Sequence, residues 1–140
     1  MTEEQGIEER LKECEERYRS FTETSVDATM TSDKNDTILT WNRGAETIFQ
    51  HGPEIIGSPI TVIVPERFRK RHSEGIKRFL KTGEKHIIGK TVELTALRRD
   101  GIEFPIELSL SYWTGRSGIL FGAIIRDISE RKHIEGVRED

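Results

Sequence analysis

The most regular pattern of apolar and polar positions lies in the C-terminal half of the chain. Phe104, Ile106, Leu108, Leu110 and Tyr112 alternate with Glu103, Pro105, Glu107, Ser109 and Ser111. A period of two predicts a strand with one buried face. Turn signals bracket it. Asp100-Gly101 is a strong two-residue hairpin signal, read as a type I′ turn with positive φ at both central positions. Thr114-Gly115-Arg116-Ser117-Gly118 then returns the chain into a strand over residues 119–126. Upstream, residues 86–97 alternate as His86, Ile88, Lys90, Val92, Leu94 against Ile87, Gly89, Thr91, Glu93. Both sets contain apolar residues, so parity alone does not say which faces a core. Two shorter strands are predicted over residues 27–32 and 37–41, joined by Asp33-Lys34-Asn35-Asp36, a turn by composition. That acidic cluster lacks the Gly and Glu of an EF-hand loop and reads as a plain turn.

Between and around the strands the period changes to that of helices. Residues 3–21 carry Ile7, Leu11, Cys14, Tyr18 and Phe21 at alternating spacings of four and three. This is a heptad seam on an otherwise charged helix. It suits pairing with a second chain as well as packing on its own domain. Asn42 is a good N-cap for a short helix with Ala45, Ile48 and Phe49. Gly52-Pro53 and Gly57-Ser58-Pro59 divide the next stretch into short helical turns. A longer helix is predicted over residues 65–81, with Pro65 at its first position and Gly83 suited to end it. It holds Arg67, Arg69, Lys70, Arg71, Lys77, Arg78 and Lys81. His72 stands four residues after Phe68, four before Ile76 and seven before Phe79, so it shares their face, which should point inward. The sum is an α+β domain: a five-stranded antiparallel sheet, helices over one face, and an N-terminal amphipathic helix.

Composition narrows the function classes. The chain has 140 residues, 34% of them charged, and a net charge of −3. One domain is expected, with no global attraction to nucleic acid or anionic membrane. No apolar run approaches a membrane span and no signal-peptide pattern opens the chain, so the expected location is cytoplasmic. Cys14 is the single cysteine and excludes an internal disulfide. The histidines His51, His72, His86 and His133 show no metal-ligand spacing, and neither a phosphate loop nor a nucleophile elbow is present. The chain therefore reads as a binding module, not an enzyme. The basic residues of the long helix are not interleaved with exposed aromatics, which favours a solvated face, or counter-charges for a bound anion, over nucleic acid.

Arg98-Arg99-Asp100-Gly101, then Phe104-Pro105-Ile106-Glu107, then a strand closing on Asp127-Ile128-Ser129-Glu130-Arg131-Lys132, resembles the second half of a PAS domain. A strand, an Asp-rich turn, a strand ending in Trp41-Asn42 and a helix with Ala45 and Phe49 resemble the first half. PAS domains are small sensory modules of signalling proteins. The resemblance covers about residues 20–132 and implies a helix at residues 1–21, a sensor at 22–128 and the start of a signalling helix at 129–140.

Within that family, residues 71–78 resemble the haem-binding PAS domains of FixL-type oxygen-sensor kinases of two-component systems. The resemblance places His72 at the axial iron ligand of haem b and Arg78 near a propionate. Ile87, Leu108 and Leu110 fall on apolar positions of the gas-binding side. Val92 stands where those domains carry an arginine that responds to oxygen, which puts that relay in doubt. A cofactor-free module for dimerisation and relay, or one binding a small organic ligand, is the alternative. A flavin photosensor is disfavoured because Cys14 lies outside the core. The partners implied are a second copy, joined through Ile7, Leu11, Cys14, Tyr18 and Phe21, and a downstream effector such as a histidine kinase outside this chain. Ile134 and Val137 are expected to begin the outgoing seam, and the abrupt end of the chain suggests an excised domain.

Overall fold

The computed structural model describes residues 2–24, 26–84, 87–116 and 118–132; of residues 18, 19 and 21–24 it describes the backbone alone. The elements run α1 (Glu3–Thr24), β1 (Ala28–Asp33), β2 (Ile38–Trp41), α2 (Arg43–Phe49), 3₁₀ turns at Pro53–Ile55 and Ile60–Ile63, α3 (Glu66–Thr82), β3 (Thr91–Leu97), β4 (Glu103–Gly115) and β5 (Gly118–Asp127). The five strands form one sheet in the order β2-β1-β5-β4-β3, antiparallel throughout. This is the expected α+β arrangement. No helix among the described residues is long and apolar enough to cross a membrane.

The period-two residues of β4 turn one face inward. Phe104 and Ile106 are buried there, and their β3 partners are Ala96 and Leu94, with Val92 opposite Leu108. Directly paired residues project to the same side of a sheet, so register settles the parity of β3 that its sequence left open. From β1 and β5 the same face receives Ala28, Met30, Phe121 and Ile125, all buried. Close aromatic packing lies under α2, where the Phe49 ring meets Trp41 at 5.3 Å and Phe104 at 5.7 Å between centroids. Asn42 caps α2 as expected: its side-chain oxygen accepts from Ala45 N at 2.9 Å and from Thr29 N at 2.8 Å. One side chain thus starts a helix and ties it to β1.

Four expectations are corrected in detail. The strand read over residues 86–97 begins only at Thr91. Gly89 sits at φ 83 and Ile88 forms an isolated parallel bridge to Leu110, so the chain turns before the ladder starts. The β3–β4 connection is not a type I′ turn. Gly101 N reaches Arg98 O and Arg98 N reaches Ile102 O, and Gly101 alone of the turn has positive φ, at 89. That is a three-residue loop, in which one left-handed glycine suffices. Pro65 is the N-cap of α3 and not its first residue, which leaves its ψ extended. Helix α1 runs three residues beyond the expected end at 21. Tyr18 and Phe21 of the seam, together with His86, Ser117, His133, Ile134 and Val137, lie outside the described residues or side chains.

The exit of the sheet is held at several points. Ile128 is buried and its N–H donates to Pro105 O at 3.2 Å. Asp127 accepts from Arg98 at 3.1 Å and also from Ser129 N at 2.9 Å. The Ser129 hydroxyl also donates to Asp127, whose carboxylate is thus the acceptor at the start of the outgoing turn. Beyond it, Arg131 reaches Glu93 at 3.1 Å and Glu107 at 3.3 Å, and Lys132 reaches Glu93 at 2.8 Å. These cations hold the Glu93 carboxyl below the usual carboxylate range, with Lys132 the largest influence.

Candidate functional site: the cavity beneath α3

Helix α3 is amphipathic but contributes a single buried side chain, Phe79. The Phe79 ring packs on Tyr112 at 5.0 Å and on Phe121 at 5.7 Å, fixing the C-terminal half of the helix to the sheet. Gly83 ends it at φ 73, donating to Phe79 O at 2.8 Å. The N-terminal half is tied differently. Arg69 Nε donates to the carbonyls of Thr61 and Val64, both at 3.0 Å. Arg67 forks onto Glu103, holding that carboxyl below its ordinary range. Between these anchors the helix stands off the sheet and leaves a cavity of about 760 Å³.

The cavity wall is mainly apolar. Met30, Ile106, Leu108, Leu110, Ala123 and Ile125 form its sheet side, and Ile60, Ile63, Phe68 and Ile76 part of its helix side. The segment before β3 closes it with Ile87 and Ile88. Arg71, Glu74, Arg78 and Glu84 line it while being exposed, so the charged part of the wall faces solvent. The guanidinium groups of Arg71 and Arg78 have no ion-pair or hydrogen-bond partner among the described residues. All five residues singled out from the sequence, His72, Arg78, Ile87, Leu108 and Leu110, line this one cavity. Val92 lies on β3 opposite Leu108 and is half-buried.

The His72 ring does not point freely into the space. Its Nε2 lies 2.9 Å from Asp36 Oδ2 and 3.0 Å from Oδ1. An ionised carboxylate only accepts, so the nitrogen facing it is the one that carries hydrogen. Asp36 comes from the β1–β2 turn, read from sequence as a plain turn. Asp33 does serve that turn, accepting from Asn35 N at 2.9 Å and Thr37 N at 3.0 Å. Asp36 does more, because its side chain crosses to α3. Thirty-six residues separate the pair, and the only sequence signal for it was an acid in the turn and an imidazole on an inward face.

The geometry has relatives. A PAS domain family model matches residues 26–130. The chain belongs to the PAS domain family. Its fold matches the crystal structure of a PAS domain from Colwellia psychrerythraea with a TM-score of 0.66 and 26% identity, over 82% of this chain and 97% of that one. The sensor protein FixL of Bradyrhizobium diazoefficiens is 32% identical over 95% of this chain. The oxygen sensor protein DosP of Escherichia coli is 27% identical over 69% of it. This PAS domain spans 26% of the length of FixL and 12% of that of DosP, and so corresponds to one part of each.

Proposed function

We propose that this PAS domain is the sensory module of a signal-transduction protein, and that it binds haem b in the cavity beneath α3, with His72 supplying the axial nitrogen. Dioxygen or another diatomic gas is the signal. The observation that carries this reading is the cavity itself: its volume of about 760 Å³ lies within the roughly 300–1,000 Å³ of small-molecule sites, and one wall presents an imidazole. The fit extends to the other residues present. The sheet side offers Leu108, Leu110 and Ile106, apolar groups against which a macrocycle packs, while Arg71 and Arg78 sit at the exposed side, free to meet carboxylates. When bound, ferrous haem supplies the open coordination position for a gas. FixL-type resemblance and the relation to DosP support the same reading. The effector, such as a histidine kinase, belongs in this proposal to another part of the protein or to a partner, and the site of action is cytoplasmic.

The test is an absorption titration with hemin of the wild type and His72→Ala. A sharpened, shifted Soret band at one equivalent, lost in the variant, is the expected result. A broad free-hemin spectrum for the wild type, or equal binding by the variant, overturns the assignment.

A cofactor-free relay module is the second reading, favoured by one observation: His72 already has a partner in Asp36. Under either reading we propose a homodimer through α1. Ile7 and Leu11 of its seam are 51% and 61% exposed, so a charged residue at Leu11 is expected to leave a monomer.

A further inference from the structure

We propose that Asp36 engages Nε2 of His72 at the cavity wall, so that a metal-bearing cofactor has to displace its carboxylate to reach that nitrogen. The inference deepens the haem reading and rests on it. Its first support is exclusivity. A ring nitrogen has one position in the ring plane, occupied either by hydrogen or by the lone pair that binds a metal. With Nε2 2.9–3.0 Å from both oxygens of Asp36, that position is taken by the hydrogen bond. The same nitrogen cannot donate to Asp36 and bind iron at once.

The second support is that Asp36 is fixed in place, and does not merely drift against the histidine. Its N–H donates to Asp33 O at 3.0 Å and its carbonyl accepts from Ile60 N at 2.9 Å. Its backbone lies in the left-handed region at φ 65, a conformation that non-glycine residues seldom adopt and keep only where their surroundings impose it. The neighbouring 3₁₀ turn, which contributes Ile60 and Ile63 to the cavity wall, thus presents the carboxylate to α3. The third support is that neither partner is deeply buried: the side chains of His72 and Asp36 are 25% and 20% exposed. Water can take up the carboxylate once the ring turns, so the displaced state is accessible. Asp36 is then a positioning residue that sets how tightly the cavity takes its cofactor. Loading the cavity releases the β1–β2 turn from α3.

The test compares wild type, Asp36→Ala and Asp36→Asn in hemin titrations followed at the Soret band, with nitrogen-15 NMR of the cofactor-free proteins to identify the protonated ring nitrogen of His72. Removing a hydrogen bond to a charged partner is expected to tighten hemin binding by roughly tenfold in Asp36→Ala. Asp36→Asn keeps an acceptor without the charge and should give a smaller gain, which also guards against misfolding of the alanine variant. In the wild type, NMR should find hydrogen on Nε2; in Asp36→Ala that preference should be lost. Binding by Asp36→Ala that equals or falls below wild type overturns the inference, because the carboxylate would then support the bound imidazole instead of competing for it. A wild type that binds hemin with Nδ1 protonated beforehand also overturns it. If none of the three proteins binds hemin, the haem reading fails and takes this inference with it. If the wild type binds and only the alanine gain is missing, the haem reading stands alone.

Discussion

Two stretches of the same sheet face are built to different standards. Under α2, Phe49 and Ile38 have no exposed surface, and Trp41 and Phe104 are almost as well covered. Their rings meet at distances favoured for tilted aromatic contacts. Under α3, Leu108 and Leu110 are only partly covered, Leu94 is 43% exposed, and the space between helix and sheet is open. The first stretch has large rings that meet one another directly; the second has a long basic helix anchored to its surroundings at its two ends and, at His72, to the Asp36 side chain. The difference separates stability from binding. A domain that packs one part of its core closely can leave another part unfilled and still fold.

That contrast is breakable. The largest effect is expected for Phe49→Ala, which removes a ring from the closed stretch and should cost about 3–5 kcal/mol, the usual range for a buried phenylalanine, read as the fall in unfolding free energy in a urea titration. Leu108→Ala, in the open stretch, should cost less, about 1–2 kcal/mol, because its side chain already lacks neighbours on the cavity side. Equal costs for the two variants would mean that the cavity collapses or is filled in solution. The smallest effect concerns His51, whose backbone carbonyl accepts from Trp41 Nε1 at 2.9 Å. Burial, then the nearby Arg99 guanidinium, lower its pKa below 6.5, against a smaller opposing pull from Glu54. The unfolded chain therefore takes up the proton first, and stability is lost as pH falls from about 6.5 through the lower, folded value. A His51→Gln variant should show a shallower loss of unfolding free energy over that window.

Much of the fold was legible because it depends on local chemistry. Asn42 as a cap, Gly83 as a helix stop and the alternation of β4 each follow from one residue or one period. The face of β3 was not legible, since it depends on register with β4 and on a left-handed Gly89 that delays the ladder. The turn at Asp100-Gly101 was misread because the same dipeptide serves a longer loop when only glycine needs positive φ. At the site, the sequence and the family resemblance pointed to five residues that the fold gathers around one space. The Asp36 contact was hidden, because a pairing between a turn and a helix leaves no periodic trace. Arg71 was noted only as one of several basic residues, and its place on the cavity wall is seen only in the fold.

Glu93 belongs to β3, one of the two edge strands of the sheet and part of the cavity wall, and its carboxylate is also a tether for Arg131 and Lys132. An edge strand has a neighbour on one side only, so it yields more readily than the strands inside the sheet. The chain leaving the domain is therefore moored in part to a compliant plank of the vessel, with a second line from Arg131 to Glu107 on the inner strand β4. Anything that swells or draws in that plank must either carry the departing segment along or cast off its two cations.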